Sequence, residues 1–198
     1  MTRGTLLVLS GPSGVGKSTA VAALQKLRPQ LRFSISATTR PPRPSERDGV
    51  NYYFVDRPAF ETMIDQGELL EHAEYVGNYY GTPAGPIDKL LEAGYDVLLD
   101  IEVQGAMQVR QRRDDAVLVF LAAPSFAELE RRLQGRGDTA PELIQKRLET
   151  AHREYQFADR YDYIVISDLV GKTAEELNAI LTAEQCRAKL RLAQLKEE

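Results

Sequence analysis

The sequence is poor in cysteine and histidine, and both shortages restrict its chemistry. Its single cysteine, Cys186, excludes a disulfide framework and favours a reducing compartment. The two histidines, His72 and His152, lie far apart with no cysteine near either, so a zinc site is not expected. We therefore expect chemistry that depends on neither thiols nor metal-ligating histidines.

Strong net charge and long apolar segments are also missing. The formal net charge of −4 predicts no bulk attraction to nucleic acid or to an acidic membrane. The longest apolar run, Ala116–Ala123, is too short to span a bilayer, and the N-terminus lacks the layout of a signal peptide. With 198 residues, of which 43% are hydrophobic and 27% charged, we expect one soluble, cytoplasmic globular domain.

Short apolar runs alternate with helical patterns, which is typical of a parallel sheet covered by helices on both faces. We predict a three-layer α/β fold with a core of about 1–33, 84–124 and 156–198, a small mixed β insert at about 34–83 and a helical lid at about 125–155. The predicted strands are Thr5–Leu9, Phe33–Ser36, Tyr52–Val55, Glu71–Val76, Tyr79-Tyr80, Val97–Leu99, Val117–Leu121 and Tyr161–Ile166. The predicted helices run from Lys17 to before Pro29, over Pro58–Gln66 and Pro86–Ala93, from Ser125 to about Leu133, from Thr139 onward, and over Thr173–Leu195.

A glycine-rich loop stands between the first strand and the first helix. The segment 11–18, GPSGVGKS, fits the phosphate-binding pattern G-x-x-x-x-G-K-[ST]. Lys17 would reach the β- and γ-phosphates of ATP, and the Ser18 hydroxyl would hold Mg²⁺. The alternative is a glycine-rich turn that matches the pattern by accident. The predicted ATP-binding residues are Gly11, Pro12, Ser13, Gly14, Val15, Gly16, Lys17, Ser18 and Thr19.

Asp100 ends the buried strand that begins at Val97. An acidic residue in this position can complete the ligand shell of Mg²⁺ beside a phosphate-binding loop. The alternative is an ordinary strand-end aspartate that caps a turn. Together with the loop, Asp100 predicts a second metal ligand.

Three arginines, Arg40, Arg43 and Arg47, lie in a segment stiffened by prolines. Guanidinium groups bind phosphate oxygens in a bidentate manner, so the segment could clamp a second phosphate group. Taken alone, such a segment is more often a solvated loop. Nearby tyrosines could donate hydroxyl groups to the same phosphate or could simply pack.

Several spaced motifs make the chain resemble guanylate kinases. They occur in the expected order, and with the phosphate loop ahead of them and Gly135-Arg136-Gly137 behind, the resemblance covers nearly the whole chain. They are Ser34-Ile35-Ser36-Ala37-Thr38-Thr39-Arg40-Pro41-Pro42-Arg43, Glu46 to Phe54, Leu70-Glu71-His72-Ala73, Gly77-Asn78-Tyr79-Tyr80-Gly81-Thr82, and Leu99 to Gly105.

The resemblance implies an acceptor site for GMP in the insert. Contacts to the GMP phosphate fall on Arg40, Arg43, Tyr52 and Tyr80, and contacts to guanine fall on Ser36, Glu71, Thr82 and Glu102. A carboxylate at Glu71 can accept hydrogen bonds from both guanine N1–H and the exocyclic amine, a donor pair that adenine lacks. Without the surrounding motif, we would interpret Glu71 as a surface glutamate.

The resemblance also implies arginines that close on the transferred phosphoryl group. Arg136 resembles a lid arginine, and Arg147 resembles a second arginine that faces this group. With Lys17 they form the predicted catalytic set. We interpret Arg131, Arg132 and Arg153 as surface charges; the alternative is that one of them exchanges roles with Arg147. Ser167 stands where the family pattern favours asparagine near the adenine, so the adenine contact departs from the pattern.

The implied function is Mg²⁺-dependent phosphoryl transfer from ATP to GMP or dGMP in guanine nucleotide recycling, with no nucleic-acid or membrane partner. One alternative is a non-catalytic guanylate-kinase-like binding module, which the intact phosphate loop disfavours. Another is a related kinase with a different phosphorylated acceptor, which the set of guanine-contacting residues disfavours.

Overall fold

A computed structural model describes residues 3–135 and 141–192. The strands are β1 (Leu6–Ser10), β2 (Arg32–Phe33), β3 (Ala37–Thr38), β4 (Tyr53–Phe54), β5 (Leu69–Tyr75), β6 (Asn78–Pro83), β7 (Val97–Asp100), β8 (Ala116–Ala122) and β9 (Tyr163–Ile166). The helices are α1 (Lys17–Leu27), α2 (Arg57–Asp65), α3 (Ala84–Glu92), α4 (Val103–Arg112), α5 (Phe126–Gln134), α6 (Pro141–Tyr155), α7 (Val170–Gln185) and α8 (Ala188–Arg191), with a 3₁₀ turn at Ala158–Arg160. In these two ranges no helix is long and apolar enough to cross a membrane.

The core is a five-stranded parallel sheet in the order β2-β7-β1-β8-β9. Every residue of β8 is buried, and so is every residue of β1, because helices cover both faces. One face packs on residues of α1, α5, α6 and α7, and the other packs on α3 and α4. The predicted α/β fold with a parallel sheet core is confirmed.

A second, four-stranded sheet has the order β4-β3-β6-β5 and mixes parallel and antiparallel pairs. It packs on α2 through a small apolar cluster that includes Phe60 and Leu69. In the β5–β6 pair, Leu69 is opposite Pro83, and His72 is opposite Gly81. Strand β5 thus holds one extra residue, a β-bulge at Leu70 and Glu71.

Asp96, immediately before β7, links elements at the end of the core sheet opposite the phosphate loop. Its carboxylate accepts hydrogen bonds from the backbone amide of Thr5 at 2.9 Å, from Nη1 of Arg28 at 2.9 Å and from Nε2 of Gln185 at 2.9 Å. Arg28 also donates from Nε to Oδ1 of Asn178 at 2.6 Å. The start of β1, the end of α1 and the end of α7 are therefore joined at one buried carboxylate.

Several sequence-based boundaries need correction. Leu27, in the last turn of α1, is 50% exposed, whereas Ala20 and Leu24 of the same helix are buried in the core. The predicted C-terminal helix over Thr173–Leu195 begins earlier and ends at Gln185, and a separate short helix holds Leu190. The helix α4 was not predicted. Of the predicted strand at Phe33–Ser36, only Phe33 lies in a strand, β2, and residues 34–36 connect β2 to β3, which belongs to a different sheet.

The hairpin turn differs from the prediction by one residue. The two turn positions are Val76, with φ 49°, and Gly77, with φ 73°, instead of Gly77 and Asn78. Positive φ values at both positions indicate a type I′ turn, which matches the twist of the flanking strands. Valine is a poor residue for this conformation because its branched side chain crowds the backbone.

Candidate active site

The phosphate loop connects β1 to α1 and depends on glycine at three positions. Gly11, Gly14 and Gly16 have φ values of 151°, 86° and 101°. A Cβ atom on Gly11 would lie 2.3 Å from the carbonyl oxygen of Leu121, so no larger residue fits there. The loop thus brings backbone N–H groups and the N-terminus of α1 together, an arrangement that binds phosphate.

Lys17 spans this loop. Its ammonium group donates a hydrogen bond to the carbonyl oxygen of Gly11 at 2.7 Å. Burial raises the pKa of the carboxyl groups of Asp100 and Glu154, and the Lys17 charge opposes both shifts. Lys17 therefore lies in the electrostatic field of two carboxyl groups, one at the end of β7 and the other on α6.

Asp100 and Ser18 occupy the positions that the sequence predicts for metal ligands. Asp100 is paired with Leu9 in the adjacent strand β1, so its carboxyl group stands at the same sheet edge as the phosphate loop. Ser18 follows Lys17 in the first turn of α1 and is exposed. One carboxylate and one hydroxyl group fit Mg²⁺, which prefers oxygen ligands and takes the remaining ligands from water and substrate phosphates. The described part of the chain holds no cluster of three or more His, Cys, Asp or Glu residues that could bind a metal.

A cavity of about 180 Å³ adjoins the start of α1. Its lining includes Gly16, Thr19, Arg132 and Ser167. Ser167 is buried, and its hydroxyl oxygen lies 3.3 Å from the position that a Cβ atom on Gly16 would take. The serine therefore closes one side of the cavity next to the phosphate loop.

Arg40, Tyr52 and Tyr80 come together in the insert. The Arg40 guanidinium lies 5.5 Å from the centre of the Tyr52 ring, and the rings of Tyr52 and Tyr80 are 6.2 Å apart. Arg40 also donates from Nη1 to the carbonyl oxygen of Pro41 at 2.8 Å. Three of the four predicted phosphate contacts therefore form one basic, aromatic cluster.

Glu46, which the sequence analysis did not single out, organises this cluster. Its Oε1 accepts from Nη2 of Arg40 at 2.9 Å, and its Oε2 accepts from the backbone amide of Arg43 at 2.7 Å. These two donors hold the pKa of Glu46 below its usual value. The side chain of Arg43 is exposed, so Glu46 fixes the backbone of Arg43 and leaves its guanidinium accessible. An acidic residue three positions after a proline-flanked arginine was the available signal.

Glu71 and Thr82 form a buried polar pair on neighbouring strands. The Thr82 hydroxyl donates to Oε1 of Glu71 at 2.6 Å, and Thr82 and Glu71 are 0% and 9% exposed, respectively. Burial is the largest influence on the Glu71 carboxyl group and raises its pKa. The Thr82 hydrogen bond and the charge of Arg112 lower it, whereas the charge of Glu102 raises it further. Glu71 is therefore not a surface glutamate.

Glu102 and Ser36 are less constrained. Glu102 is the N-cap residue of α4 and is exposed, but its charge acts on Glu71. Ser36 is half-buried just before β3, and its carbonyl oxygen accepts from the amide of Tyr53 at 2.9 Å. The structure thus brings Glu71, Thr82 and Glu102 together and places Ser36 beside the same sheet.

The predicted lid contributes one described arginine of the catalytic pair. Arg147 is half-buried on α6, one residue before the core residue Leu148, whereas Arg136 lies outside the described residues. The interpretation of Arg132 as a surface charge is wrong. Arg132 donates from Nη1 to the carbonyl oxygen of Val15 at 3.2 Å, which joins α5 to the phosphate loop.

Comparisons with known proteins agree with one another. A family model described as guanylate kinase matches residues 3–184. A guanylate kinase of Desulfitobacterium hafniense is 50% identical over 94% of this chain and 93% of its own length, and one of Thermus thermophilus is 53% identical over 94% and 84%. The crystal structure of a guanylate kinase from Anaplasma phagocytophilum is similar with a TM-score of 0.72 and 34% identity, covering 100% of this chain and 95% of the other.

Proposed function

The chain belongs to the guanylate kinase family and transfers a phosphoryl group from ATP to GMP, and we propose that it divides this reaction between the phosphate loop and the insert. The phosphate loop and Lys17 bind the ATP phosphates, and the insert binds GMP. The base-binding pair Glu71 and Thr82 supplies the selectivity for guanine.

The Arg40 cluster binds the phosphate of GMP. Arg40 and Arg43 supply positive charge, and the hydroxyl groups of Tyr52 and Tyr80 donate hydrogen bonds to the same group. Glu46 accepts a hydrogen bond from Nη2 of Arg40, so the arginine is already oriented before GMP binds. Preorientation of this kind lowers the entropy that binding costs.

Glu71 reads the base, and its buried bond with Thr82 is the single observation that carries this assignment. The ionised carboxylate accepts from guanine N1–H and from the exocyclic amine, with Thr82, Ser36 and Glu102 completing the base contacts. Adenine presents an acceptor at N1 and no amine at C2, so the buried carboxylate would lose its partners. The Glu71 contacts bind the base and the Arg40 cluster binds the phosphate, so neither set uses the 2′-hydroxyl group that dGMP lacks. dGMP is therefore a second acceptor.

ATP binds across the phosphate loop, with its adenine in the cavity beside Ser167. Backbone N–H groups of the segment 11–16, the ammonium group of Lys17 and the first turn of α1 hold the phosphates. Ser18 and Asp100 would hold Mg²⁺, which when bound neutralises charge on the phosphate oxygens. Mg²⁺ requires oxygen ligands, which Ser18 and Asp100 provide. The phosphates of ATP require a cation, which Lys17 provides.

Transfer proceeds by positioning and charge neutralisation. A phosphate oxygen of GMP attacks the γ-phosphorus of ATP, the bond to the β,γ-bridging oxygen breaks, and ADP and GDP leave. Lys17 neutralises charge that develops on the phosphoryl oxygens, and Arg136 and Arg147 act on the same group from the lid. Direct transfer of this kind needs no covalent intermediate on the protein. Closure of the insert and the lid excludes water and so limits ATP hydrolysis.

An acceptor profile tests the assignment of Glu71. ADP release is measured with ATP, Mg²⁺ and each of GMP, dGMP, IMP, AMP, CMP and UMP, for the wild type and for Glu71→Gln. We expect GMP to exceed AMP by several orders of magnitude in kcat/KM for the wild type. Glu71→Gln should remove most of this preference while ATP turnover with saturating GMP persists. An unchanged GMP/AMP ratio in Glu71→Gln would overturn the assignment. We also propose that the enzyme acts in the cytoplasm, with nucleotides as its ligands.

A further inference from the structure

The bulge that carries Glu71 is held by a helix of the core. Strand β5 departs from regular pairing between Leu69 and His72, and both flanking residues bind side chains of α4 through their backbones. A bulge is a site where a strand changes the direction of a side chain. The orientation of Glu71 therefore depends on how these two flanks are fixed.

Gln108 fixes one flank with both ends of its amide group. Its Nε2 donates to the carbonyl oxygen of His72 at 3.0 Å, and its Oε1 accepts from the amide of His72 at 3.2 Å. Gln108 thereby takes the place of a neighbouring strand at a residue where β5 is the edge of its sheet. Both backbone groups of His72 are satisfied by one side chain.

Arg112, one turn further along α4, fixes the other flank. Its Nη1 donates to the carbonyl oxygen of Leu69. Its charge acts on the Glu71 carboxyl group and opposes the effect of burial on the pKa of that group. The charged groups that face Glu71 are thus Arg112 and Glu102, both from α4, and the neighbouring His72 is influenced by Arg112 as well.

The same helix provides the space for the carboxylate. A Cβ atom on Gly105 would lie 3.1 Å from Oε2 of Glu71, so glycine lets the carboxylate approach the helix closely. The helix itself is immobilised by the core, since Val103, Ala106 and Val109 are almost fully buried against the central sheet. The position of Glu71 therefore depends on the core as well as on the insert.

We propose that Gln108 and Arg112 are positioning residues for guanine recognition, because they fix the β5 bulge at the angle that presents Glu71 to the base. This inference rests on the proposed role of Glu71. Neither residue touches the nucleotide in this assignment, and both act through the backbone of β5.

Steady-state kinetics with GMP, IMP and AMP test the proposal. Gln108→Leu removes both hydrogen bonds to His72, and Gln111→Leu, at an exposed position of the same helix, is the matched control. We expect Gln108→Leu to lower kcat/KM for GMP roughly 10- to 100-fold, as small misplacements of a binding group do, and to lower the GMP/AMP ratio with it. The KM for ATP and the kcat with saturating GMP should stay within about twofold of the wild type, as should all values for Gln111→Leu.

Arg112 adds a readout that a purely structural role would not change. Arg112→Gln removes the charge that favours ionised Glu71, so the acid-side rise of the KM for GMP should move to higher pH. Arg112→Lys restores the charge and should return the pH profile toward that of the wild type.

Two outcomes would overturn the proposal while Glu71→Gln still loses selectivity. One is a GMP/AMP ratio unchanged in Gln108→Leu, with or without a parallel loss of activity, and the other is an acid-side rise of the KM for GMP that does not move in Arg112→Gln. If Glu71→Gln keeps the wild-type ratio, the assignment of Glu71 fails first. Thermal unfolding of each variant identifies any that is not folded. If Gln108→Leu does not fold, the pH profiles of Arg112→Gln and Arg112→Lys test the proposal instead.

Discussion

The carboxylate of Glu46 lies 2.9 Å from Nη2 of Arg40, in a pair whose side chains are only 12% and 18% exposed. The second oxygen of the same carboxylate holds the amide of Arg43. One acidic side chain thereby sets the relative position of two predicted phosphate ligands, although it has the same charge as the group that they bind. Its contribution to the enzyme is therefore the orientation of these two ligands, which depends on its hydrogen bonds to them.

Substitution Glu46→Gln should weaken GMP binding. The amide keeps the shape of the side chain but loses the charge-assisted hydrogen bond to Arg40, so we expect the KM for GMP to rise about tenfold with little change in the KM for ATP. Initial rates with varied GMP measure this. Glu61→Gln is the control, because Glu61 pairs with Arg57 at exposed positions on α2. A KM for GMP equal to that of the control would show that Arg40 does not need Glu46.

Substitution Lys17→Met should lower kcat by about 10²-fold or more, since it removes the cation to which we assign charge neutralisation in the transition state. The fold should remain, because the lost contact is a single hydrogen bond to the carbonyl oxygen of Gly11. Coupled ADP-release assays give kcat, and circular dichroism reports the fold. Lys26→Met at the exposed end of the same helix should behave as the wild type. Substantial activity in Lys17→Met would argue against its catalytic role.

Asp100→Asn tests the metal site. An amide is a weaker Mg²⁺ ligand than a carboxylate, so the Mg²⁺ concentration for half-maximal activity should rise about tenfold or more. Titration of the metal at fixed ATP gives this value, and chelation of Mg²⁺ should abolish activity in the wild type. Asp65→Asn, at the exposed end of α2, is the control. Equal Mg²⁺ requirements for the two variants would exclude Asp100 as a ligand.

The KM for GMP should depend on pH through Glu71. Burial raises the pKa of this carboxyl group, so protonation begins at a higher pH than for an ordinary glutamate. The protonated form can no longer accept from both guanine donors, and the KM for GMP should therefore rise as the pH falls through the raised pKa. Glu71→Gln should have a high KM at every pH and no acid-side rise. Identical profiles for the two proteins would contradict the prediction.

Val76→Asn should stabilise the protein. Val76 has φ 49° in the turn between β5 and β6, a conformation that asparagine adopts more readily than a β-branched residue. We expect a gain of about 1 kcal/mol in the free energy of unfolding, which corresponds to about 2–4 °C in Tm for a chain of this size. Val50→Asn, also at an exposed valine, lacks the strained φ and should give no gain. A lower Tm for Val76→Asn than for Val50→Asn would refute the strain.

Local signals were sufficient for the core and the phosphate loop. The strands β1 and β8 are continuous apolar runs because both of their faces are covered, and such runs stand out in a sequence. The loop is recognisable because its glycines and Lys17 have fixed spacing. The predicted start of a helix at Ser125 is also confirmed, because Ser125 is the N-cap of α5 and its hydroxyl accepts from the amide of Glu128 at 3.1 Å.

The helix α4 shows why other parts escaped prediction. Its sequence includes Gly105 and several polar residues, which weaken any helical pattern. Gly105 is explained only by the close approach of Glu71 from another part of the chain. The roles of Gln108 and Arg112 are likewise invisible in the sequence, because they depend on which strand lies across the helix.

The site residues also include some that the sequence locates and some that it does not. The motif locates Arg40, Tyr52, Glu71 and Thr82 by position. In the structure Arg40 lies against Tyr52, and Thr82 donates to Glu71. Arg132 was misjudged because its contact with Val15 joins residues more than a hundred positions apart. Contacts of that range follow from tertiary packing and have no local signature.

The buried carboxylate of Asp96 has a consequence for nucleotide binding. It fastens the beginning of β1 through Thr5 and the end of α1 through Arg28, and these are the two elements that flank the phosphate loop. Both β1 and α1 are thus fixed at the ends that lie away from the phosphate loop. If ATP binds this loop as we propose, little of its affinity is lost to the ordering of the backbone, because both flanking elements are already fixed. A substitution at Asp96, at the opposite end of the sheet from the phosphate loop, would be felt there as looser phosphate binding.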